Sequence, residues 1–342
     1  MEGAEPSGQP TYRIVINIPA FRLSLFAGDS FVKEYPIAVG KDVSPSRTGM
    51  CTVVRKVKNP TWYPPDGRPP VPPGPDNPIG SRWLGLSWPG YGIHGTNNPS
   101  SIGRAVTLGC IRMRDEDAQE LYDTVPIGTP VEFVYRTIEV QPGDDPLGAR
   151  IRVYRDIYGL GTNTDPHAKS ALAASLPQPM PEVDEGALKA IVSAQKGEPE
   201  PVPWKVRVEV DGQLLQGAAQ IEAGQVLIAL RSIADALKFY VHWDSARAVA
   251  RVNDIEIKGT TRSGRLYVSI GDLRSLFDAA LFEWDPQILA LAVSTHPSPA
   301  PAAEQAGAPE PAPAPPETVA PEPSQAPVPT PESEPVPPST PL

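Results

Sequence analysis

Where the prolines fall decides most of what this chain can become. A proline lacks an amide hydrogen, and its ring is barred from helix interiors and central strands. The chain carries 45 of them in 342 residues, crowded into the stretch 58–79 and into the C-terminal 296–342. The first stretch interrupts a series of β-rich runs, so it is expected to form a long surface loop, and loops of that length often border a binding site. The second mixes Pro with Ala, Glu, Ser and Thr, contains no Lys or Arg, and shows no apolar periodicity. It is expected to be a disordered, extended Pro-rich tail acting as a spacer. Residues 1–10 read as a flexible leader.

Between these segments the pattern is mainly β. The runs YRIVINI (12–18), RLSLFA (22–27), FVKEYPIAVG (31–40) and MCTVVRKV (50–57) are rich in β-branched and aromatic residues and partly alternate, as strands do. One helix is expected after Asp115, which is read as its cap. Glu116 and Asp117 follow in the first turn, and Ala118, Leu121, Tyr122 and Val125 share one face. IGTPVEFVY (127–135) reads as a turn and a strand, and IRVYRDIYG (151–159) as a further strand or an edge extension. Two helical pieces are expected around 166–175 and 182–195.

From about Trp204 the chain repeats itself. QVLIALRSIADALKFYVHWDSARAVARV (225–252) aligns with GRLYVSIGDLRSLFDAALFEWDPQILALAV (264–293). Each copy reads as a strand, a helix, and a strand pair turning at Trp-Asp. Ile233 and Leu237 mark one helix face, and Leu273, Leu276 and Phe277 the other. One copy cannot bury its apolar face alone, so two in tandem predict a small α+β repeat domain. The expected divisions are thus 1–10, 11–158, a helical extension and linker at 159–203, the repeat domain at 204–295, and the tail at 296–342.

Charge and cysteine usage narrow the function. A formal net charge of −10 argues against a nucleic-acid partner, because a phosphate backbone needs a basic face. No run of eighteen apolar residues exists to span a membrane, and the first residues lack a signal core. Either the chain is cytosolic or a targeting segment is absent from it. The two cysteines, Cys51 and Cys110, could make one bridge but not a disulfide framework. Cys51, inside a strand run, is expected to be a small buried hydrophobe.

Cys110 sits in different company, in GYGIHGTNNPSSIGRAVTLGCIRMRDEDAQELY (90–122). A thiol attacks carbonyls as thiolate, and an ordinary thiol is mostly protonated at neutral pH. His94, sixteen residues earlier, can take that proton and return it to a leaving amine. Attack creates an oxyanion that needs backbone donors. The amides of Gly109 and Cys110 are the expected ones, and the Gly95 carbonyl is the expected partner that orients the His94 ring. Arg112 and Thr107 flank the nucleophile and suit a carboxylate-bearing substrate. Thr96 is placed in the substrate site with them. Alone, one Cys and one His at this spacing fit a core cysteine and a structural histidine better than catalysis.

The full motif set resembles the YkuD-type L,D-transpeptidase catalytic domain. That family's hallmark is a His-Gly pair, a loop, then Ser/Thr-x-Gly-Cys-x-Arg/Asn. Here it reads IHGT (93–96), SIG (101–103) and TLGCIRM (107–113). PIAVGK (36–41), SRTG (46–49), NPTWYPP (59–65), NPIG (77–80) and GTPV (128–131) accompany it in the family's order, over roughly residues 12–135. The resemblance implies a β-sandwich-like fold with Cys110 in a cleft under a loop. It also implies Cys110 as nucleophile, His94 as base and Arg112 in the substrate site. The implied partners are peptidoglycan stem peptides. Cys110 would attack the L-centre of a diamino acid, release D-Ala, and pass the thioester to an amine of another stem. Carbapenem-type inhibitors are expected to acylate the same thiol. Such a substrate favours an extracytoplasmic location, with a targeting segment removed. Leu108 departs from the pattern, since many members carry histidine there. A carboxypeptidase using water as acceptor, an inactive wall-binding protein and a cytosolic thiol hydrolase are the alternatives.

The repeat unit resembles the copper amine oxidase N-terminal-like, or stalk, domain. No copper follows: His242 is its only histidine and it has no cysteine, so no metal or other cofactor is expected. His242, His167 and His296 are read as structural or solvent-exposed. The Trp-Asp pairs are read as turn and core features, with stacking on a cell-wall polymer as the alternative.

Overall fold

The computed structural model describes residues 11–295 apart from 245, 246, 248 and 279. The leader 1–10 and the Pro-rich tail 296–342, with His296, lie outside the described residues. Four strands open the fold: β1 (Tyr12–Asn17), β2 (Arg22–Ala27), β3 (Ser30–Gly40) and β4 (Gly49–Lys58). They coincide with the four β-rich runs because those runs alternate. Ile14 and Ile16 of β1 face the core opposite Leu25 and Leu23 of β2, as a period of two requires. Beyond the proline-rich stretch come β5 (Arg82–Leu86), β6 (Gly92–His94), β7 (Ala105–Thr107), β8 (Ile111–Met113), helix α1 (Asp115–Thr124) and β9 (Pro130–Val134).

These nine strands pair in the order β2-β1-β9-β4-β5-β6-β8-β3-β7, and β3 pairs with β2 as well, so the ladder returns on itself. Two long strands turn the corners. β4 gives Gly49–Thr52 to β9 and Val53–Lys58 to β5. β3 gives its first part to β2 and its last residues to β8 and β7. The result is a two-layered, sandwich-like body around one apolar core, as expected. Helix α1 closes that core with Ala118 and Leu121, followed by Val125.

Asp115 does not cap α1 as expected. The N-cap is Arg114, which makes no side-chain cap bond. The Asp115 carboxylate reaches across the fold instead. It accepts from the Ser81 amide at 2.7 Å, the Ser81 hydroxyl at 2.8 Å and Gln119 Nε2 at 2.9 Å. A side chain that accepts from three donors is a firmer tie than a single cap bond at an exposed helix end.

That tie fastens the exit of the proline-rich loop, which is folded back on itself. Trp62 and Val71 exchange backbone bonds of 2.9 Å. Asn77 is fully buried; its Nδ2 donates to the Pro60 carbonyl at 2.8 Å and its Oδ1 accepts from the Ile79 amide at 3.0 Å. Prolines cannot supply these amide donors, so one asparagine side chain staples the loop.

The segment 151–159 does not extend this sheet. β11 (Arg150–Val153) pairs with β10 (Ile138–Gln141) and β12 (Pro199–Pro201) in a separate three-stranded antiparallel sheet. Ile151 and Val153 face helices α2 (Asp165–Ser175) and α3 (Glu185–Ala194), burying Ala168, Leu172 and Leu188 in a second core. Core membership passes from the first core to the second near Thr137, and Ile157 and Tyr158 return to pack on the first core. Thr164 and Asp184 cap the two helices through their side chains.

A third core holds the repeat. Its copies run strand Gln225–Ala229, helix Leu230–Ala236, strands His242–Asp244 and Val249–Val252, then strand Arg265–Val268, helix Ile270–Leu276, strands Leu281–Asp285 and Ala290–Ser294. The two leading strands pair antiparallel, Ile228 opposite Val268. Ile233, Leu237, Leu273, Leu276 and Phe277 are buried together. The Trp-Asp pairs differ: Trp284 packs against both the second and third cores, whereas Trp243 is 40% exposed, so only one tryptophan is a core feature.

Asn77→Ala should lower stability by about 1–3 kcal/mol, since it orphans buried backbone groups. It should also speed proteolysis within residues 60–76. Unchanged urea unfolding and an unchanged cleavage rate would contradict the staple.

Candidate active site

The site is built by two three-residue strands. β6 and β8 run parallel with Ile93 beside Ile111 and His94 beside Arg112. Both isoleucines are fully buried in the core. Alternation then turns His94 and Arg112 to the opposite face, and Cys110 immediately precedes β8. His94, Cys110 and Arg112 line one cleft of about 840 Å³, together with Trp62 and Tyr63 of the proline-rich loop and Trp83 of β5. Cys51 is buried in β4 and both cysteines are free thiols.

Two glycines permit this packing. A Cβ on Gly95 would lie 2.1 Å from Asp115 Oδ1, so the turn after His94 can approach the helix start only without a side chain. Gly109 has φ +113°, and a Cβ there would press on the Tyr91 hydroxyl at 3.1 Å.

His94 is held on two sides. Its ring stacks on Trp83 at 5.6 Å between centroids and 13° between planes. Its Nδ1 lies 2.6 Å from the Gly95 carbonyl. A carbonyl only accepts, so Nδ1 carries the hydrogen and Nε2 of the neutral ring is the proton acceptor. Burial lowers the His94 pKa to about 4; the Gly95 contact opposes this and the Arg112 charge adds to it. The ring is therefore neutral at pH 7.

Burial pushes the Cys110 thiol up, while the Gly92 amide pulls it the other way. Its Sγ lies 3.5 Å from the Gly90 carbonyl, a partner for S–H and not for a thiolate. Desolvation thus favours a neutral thiol in the cleft that Cys110 shares with the neutral His94 imidazole.

Three assigned contacts are placed differently. The Gly109 amide donates to Thr107 Oγ1 at 3.1 Å, so it is engaged inside its own turn. The Thr107 hydroxyl in turn donates to the Cys110 carbonyl at 2.7 Å. Thr107 lines the cleft, but its hydroxyl braces the turn that carries Cys110. Thr96 is buried and lines a separate hollow with Gly80, Ser81, Asn97 and Asp115; its Oγ1 accepts from the Asn98 amide at 3.0 Å. Arg112 does line the cleft. It is half-buried, its pKa is lowered by desolvation, and its Nε has no hydrogen-bond partner. As a guanidinium lining the cleft it suits an anionic ligand group.

Sequence reasoning missed Trp83, which orients His94, and Ser46, whose hydroxyl donates to the Gly109 carbonyl at 2.8 Å. Ser46 stood in the SRTG motif without a role. Trp83 carried no signal beyond its position opposite His94 in a strand pair.

The His94 shift makes stability depend on pH with a definite sign. Above about pH 6.5 the ring is neutral in both folded and unfolded chains and contributes no difference. As pH falls from 6.5 toward 4, the unfolded chain binds a proton that the folded one refuses, and roughly 3 kcal/mol of stability is lost. His94→Gln should lose that much less than the native chain between urea unfolding at neutral pH and at about pH 4. Equal losses would contradict the buried neutral ring.

Similar proteins match the segment that carries this site. The family profile YkuD, the L,D-transpeptidase catalytic domain, matches residues 11–133. A Bacillus licheniformis protein named "Putative L,D-transpeptidase YkuD" is 44% identical over 122 residues, 36% of this chain and 65% of its own length. The Escherichia coli "Probable L,D-transpeptidase ErfK/SrfK" is 37% identical over 142 residues, 37% of this chain and 45% of its own. The Bacillus subtilis "Putative L,D-transpeptidase YqjB" is 34% identical over 124 residues, 34% of this chain and 68% of its own. Among solved structures, an L,D-transpeptidase from Mycobacterium smegmatis has a TM-score of 0.32 at 20% identity, over 36% of this chain and 59% of that one. The chain spans less than two thirds of the length of the first two relatives. Through residues 11–133, the chain belongs to the YkuD family of L,D-transpeptidase catalytic domains.

Proposed function

We propose that this chain is a peptidoglycan L,D-transpeptidase with Cys110 as nucleophile and His94 as base. The observation that carries this reading is the parallel β6–β8 pairing, which opens His94, Cys110 and Arg112 onto one cleft. The cleft has an aromatic wall and a guanidinium in its lining, suited to a peptide that ends in a carboxylate.

The reaction runs on one shuttled proton. Cys110 Sγ attacks the L-centre carbonyl of the diamino acid in a tetrapeptide stem, and its proton passes to His94 Nε2. The new C–S bond leaves an oxyanion facing the Cys110 amide. Collapse breaks the C–N bond, and D-Ala leaves as an amine with the proton from His94. An amine of a second stem then attacks the thioester and yields its proton to His94. The C–S bond breaks and the proton returns to sulfur. A neutral imidazole is needed at the start, and burial supplies it. Arg112 binds substrate carboxylate. The substrate places the working site outside the cytoplasm. Residues 204–295 are read as a stalk-like unit of the copper amine oxidase N-terminal-like kind, with cell-wall polymer as its candidate ligand.

Incubation with disaccharide-tetrapeptides, followed by mass analysis, tests the reaction. The expected product is a 3→3 cross-linked dimer lacking one D-Ala. Trimmed tripeptide without dimer would assign the water-using carboxypeptidase. Absence of both products would contradict the proposal. Cys110→Ala should reduce turnover by roughly 10³-fold or more with unfolding unchanged. A carbapenem should add one covalent equivalent at Cys110; an adduct on Cys51 would count against the assignment.

A further inference from the structure

The peptide that joins Gly109 to Cys110 has its two ends in different surroundings. Its carbonyl is buried and accepts from the Ser46 hydroxyl at 2.8 Å. Its N–H belongs to Cys110. A trans peptide is planar, with C=O and N–H pointing in opposite directions. Whatever fixes the Gly109 carbonyl therefore fixes the direction of the Cys110 N–H. Gly109 sits at φ +113°, and glycine has few steric barriers to keep that plane from rotating.

Ser46 is itself locked. Its Oγ accepts from the Gly40 amide at 2.9 Å, so its hydrogen is committed to Gly109. Its own amide donates to Tyr158 Oη at 3.1 Å, and Tyr158 Oη donates to the Gly40 carbonyl at 2.7 Å. Tyr158 thus pins both ends of the Gly40–Ser46 loop. It is anchored behind: its ring stacks on Tyr135 at 5.4 Å, and its amide donates to Tyr135 Oη at 2.8 Å. Tyr135 Oη donates to Asp156 Oδ1 at 2.7 Å, and the Asp156 carboxylate also accepts from the amides of Leu160 and Gly161. Tyr158 lies outside the family-matched residues 11–133.

We propose that Ser46, backed by Tyr158, is a positioning residue that holds the Gly109–Cys110 peptide so that the Cys110 amide meets the oxyanion. The inference rests on the reading of Cys110 as the acylated nucleophile. It gives the segment after the matched domain a task in acyl transfer without touching substrate. Neither hydroxyl exchanges a proton with the reactants; each sets geometry, and geometry decides how much an oxyanion donor contributes.

Two reactions of one thiol separate this role from a general structural one. Imipenem acylates through a tetrahedral oxyanion, whereas iodoacetamide alkylates by direct displacement and forms none. Both rates are read by intact mass on the native chain, Ser46→Ala and Tyr158→Phe. Ser46→Ala should lose roughly ten- to hundredfold in acylation rate, with alkylation within about twofold of native; Tyr158→Phe should show the same split more weakly. Native-like acylation in Ser46→Ala would overturn the proposal. So would parallel loss of both rates in the two variants, which would mean a damaged fold or thiol. A native chain that alkylates at Cys110 but never acylates would instead overturn the nucleophile reading and the inference with it.

Discussion

The cleft depends on the parallel pairing of two strands only three residues long, Gly92–His94 and Ile111–Met113. Ile93 and Ile111 are fully buried side by side, and each such burial is worth about 1.5–3 kcal/mol. Because a one-residue slip would exchange their faces, the apolar demand of the core fixes the register. That same register turns His94 and Arg112 to the opposite face, onto the cleft, and places Cys110 at the strand's entry. The chemistry is thus held by the hydrophobic effect one residue away. The flanking turns can follow only because Gly95 and Gly109 carry no side chain where Asp115 and Tyr91 press against them.

Burial sets the electrostatics as firmly as it sets the register. Both members of the thiol–imidazole pair lose solvent, and each is pushed toward its neutral form. Arg112 reinforces this for the imidazole by disfavouring a second positive charge. A neutral pair resists idle oxidation, because the thiolate is the reactive species. In the proposed reaction the proton leaves sulfur as the sulfur attacks the substrate carbonyl. A weak base suffices for that proposed step, since stabilisation of the developing oxyanion by the Cys110 amide drives the transfer without reorganisation.

Much of this was legible in the residues. The first four strands followed from alternation, and the motifs around His94 and Cys110 marked the cleft. The long-range hydrogen bonds that brace it were not legible. Ser46 to Gly109, Tyr158 to Gly40 and Asp115 to Ser81 span 63, 118 and 34 residues. Such pairs obey no period and follow only from the closed sheet. Asp115 had the composition of a helix cap and was drawn off by a better set of donors. Thr107 looked like a substrate contact because it flanks the cysteine, yet its hydroxyl closes a turn two and three residues away. The two Trp-Asp pairs were equivalent in sequence, but only Trp284 faces a neighbouring core.

In the proposed reaction Cys110 rests as a half-buried neutral thiol in the cleft it shares with neutral His94, and it ionises only as it attacks. Titrating the thiolate by its ultraviolet absorbance, as the difference between the native chain and Cys110→Ser, tests this most directly. The expected result is no thiolate signal from Cys110 at pH 7, with ionisation only above the range of an ordinary cysteine. A full thiolate signal at neutral pH that disappears in His94→Gln would contradict it and establish a standing ion pair.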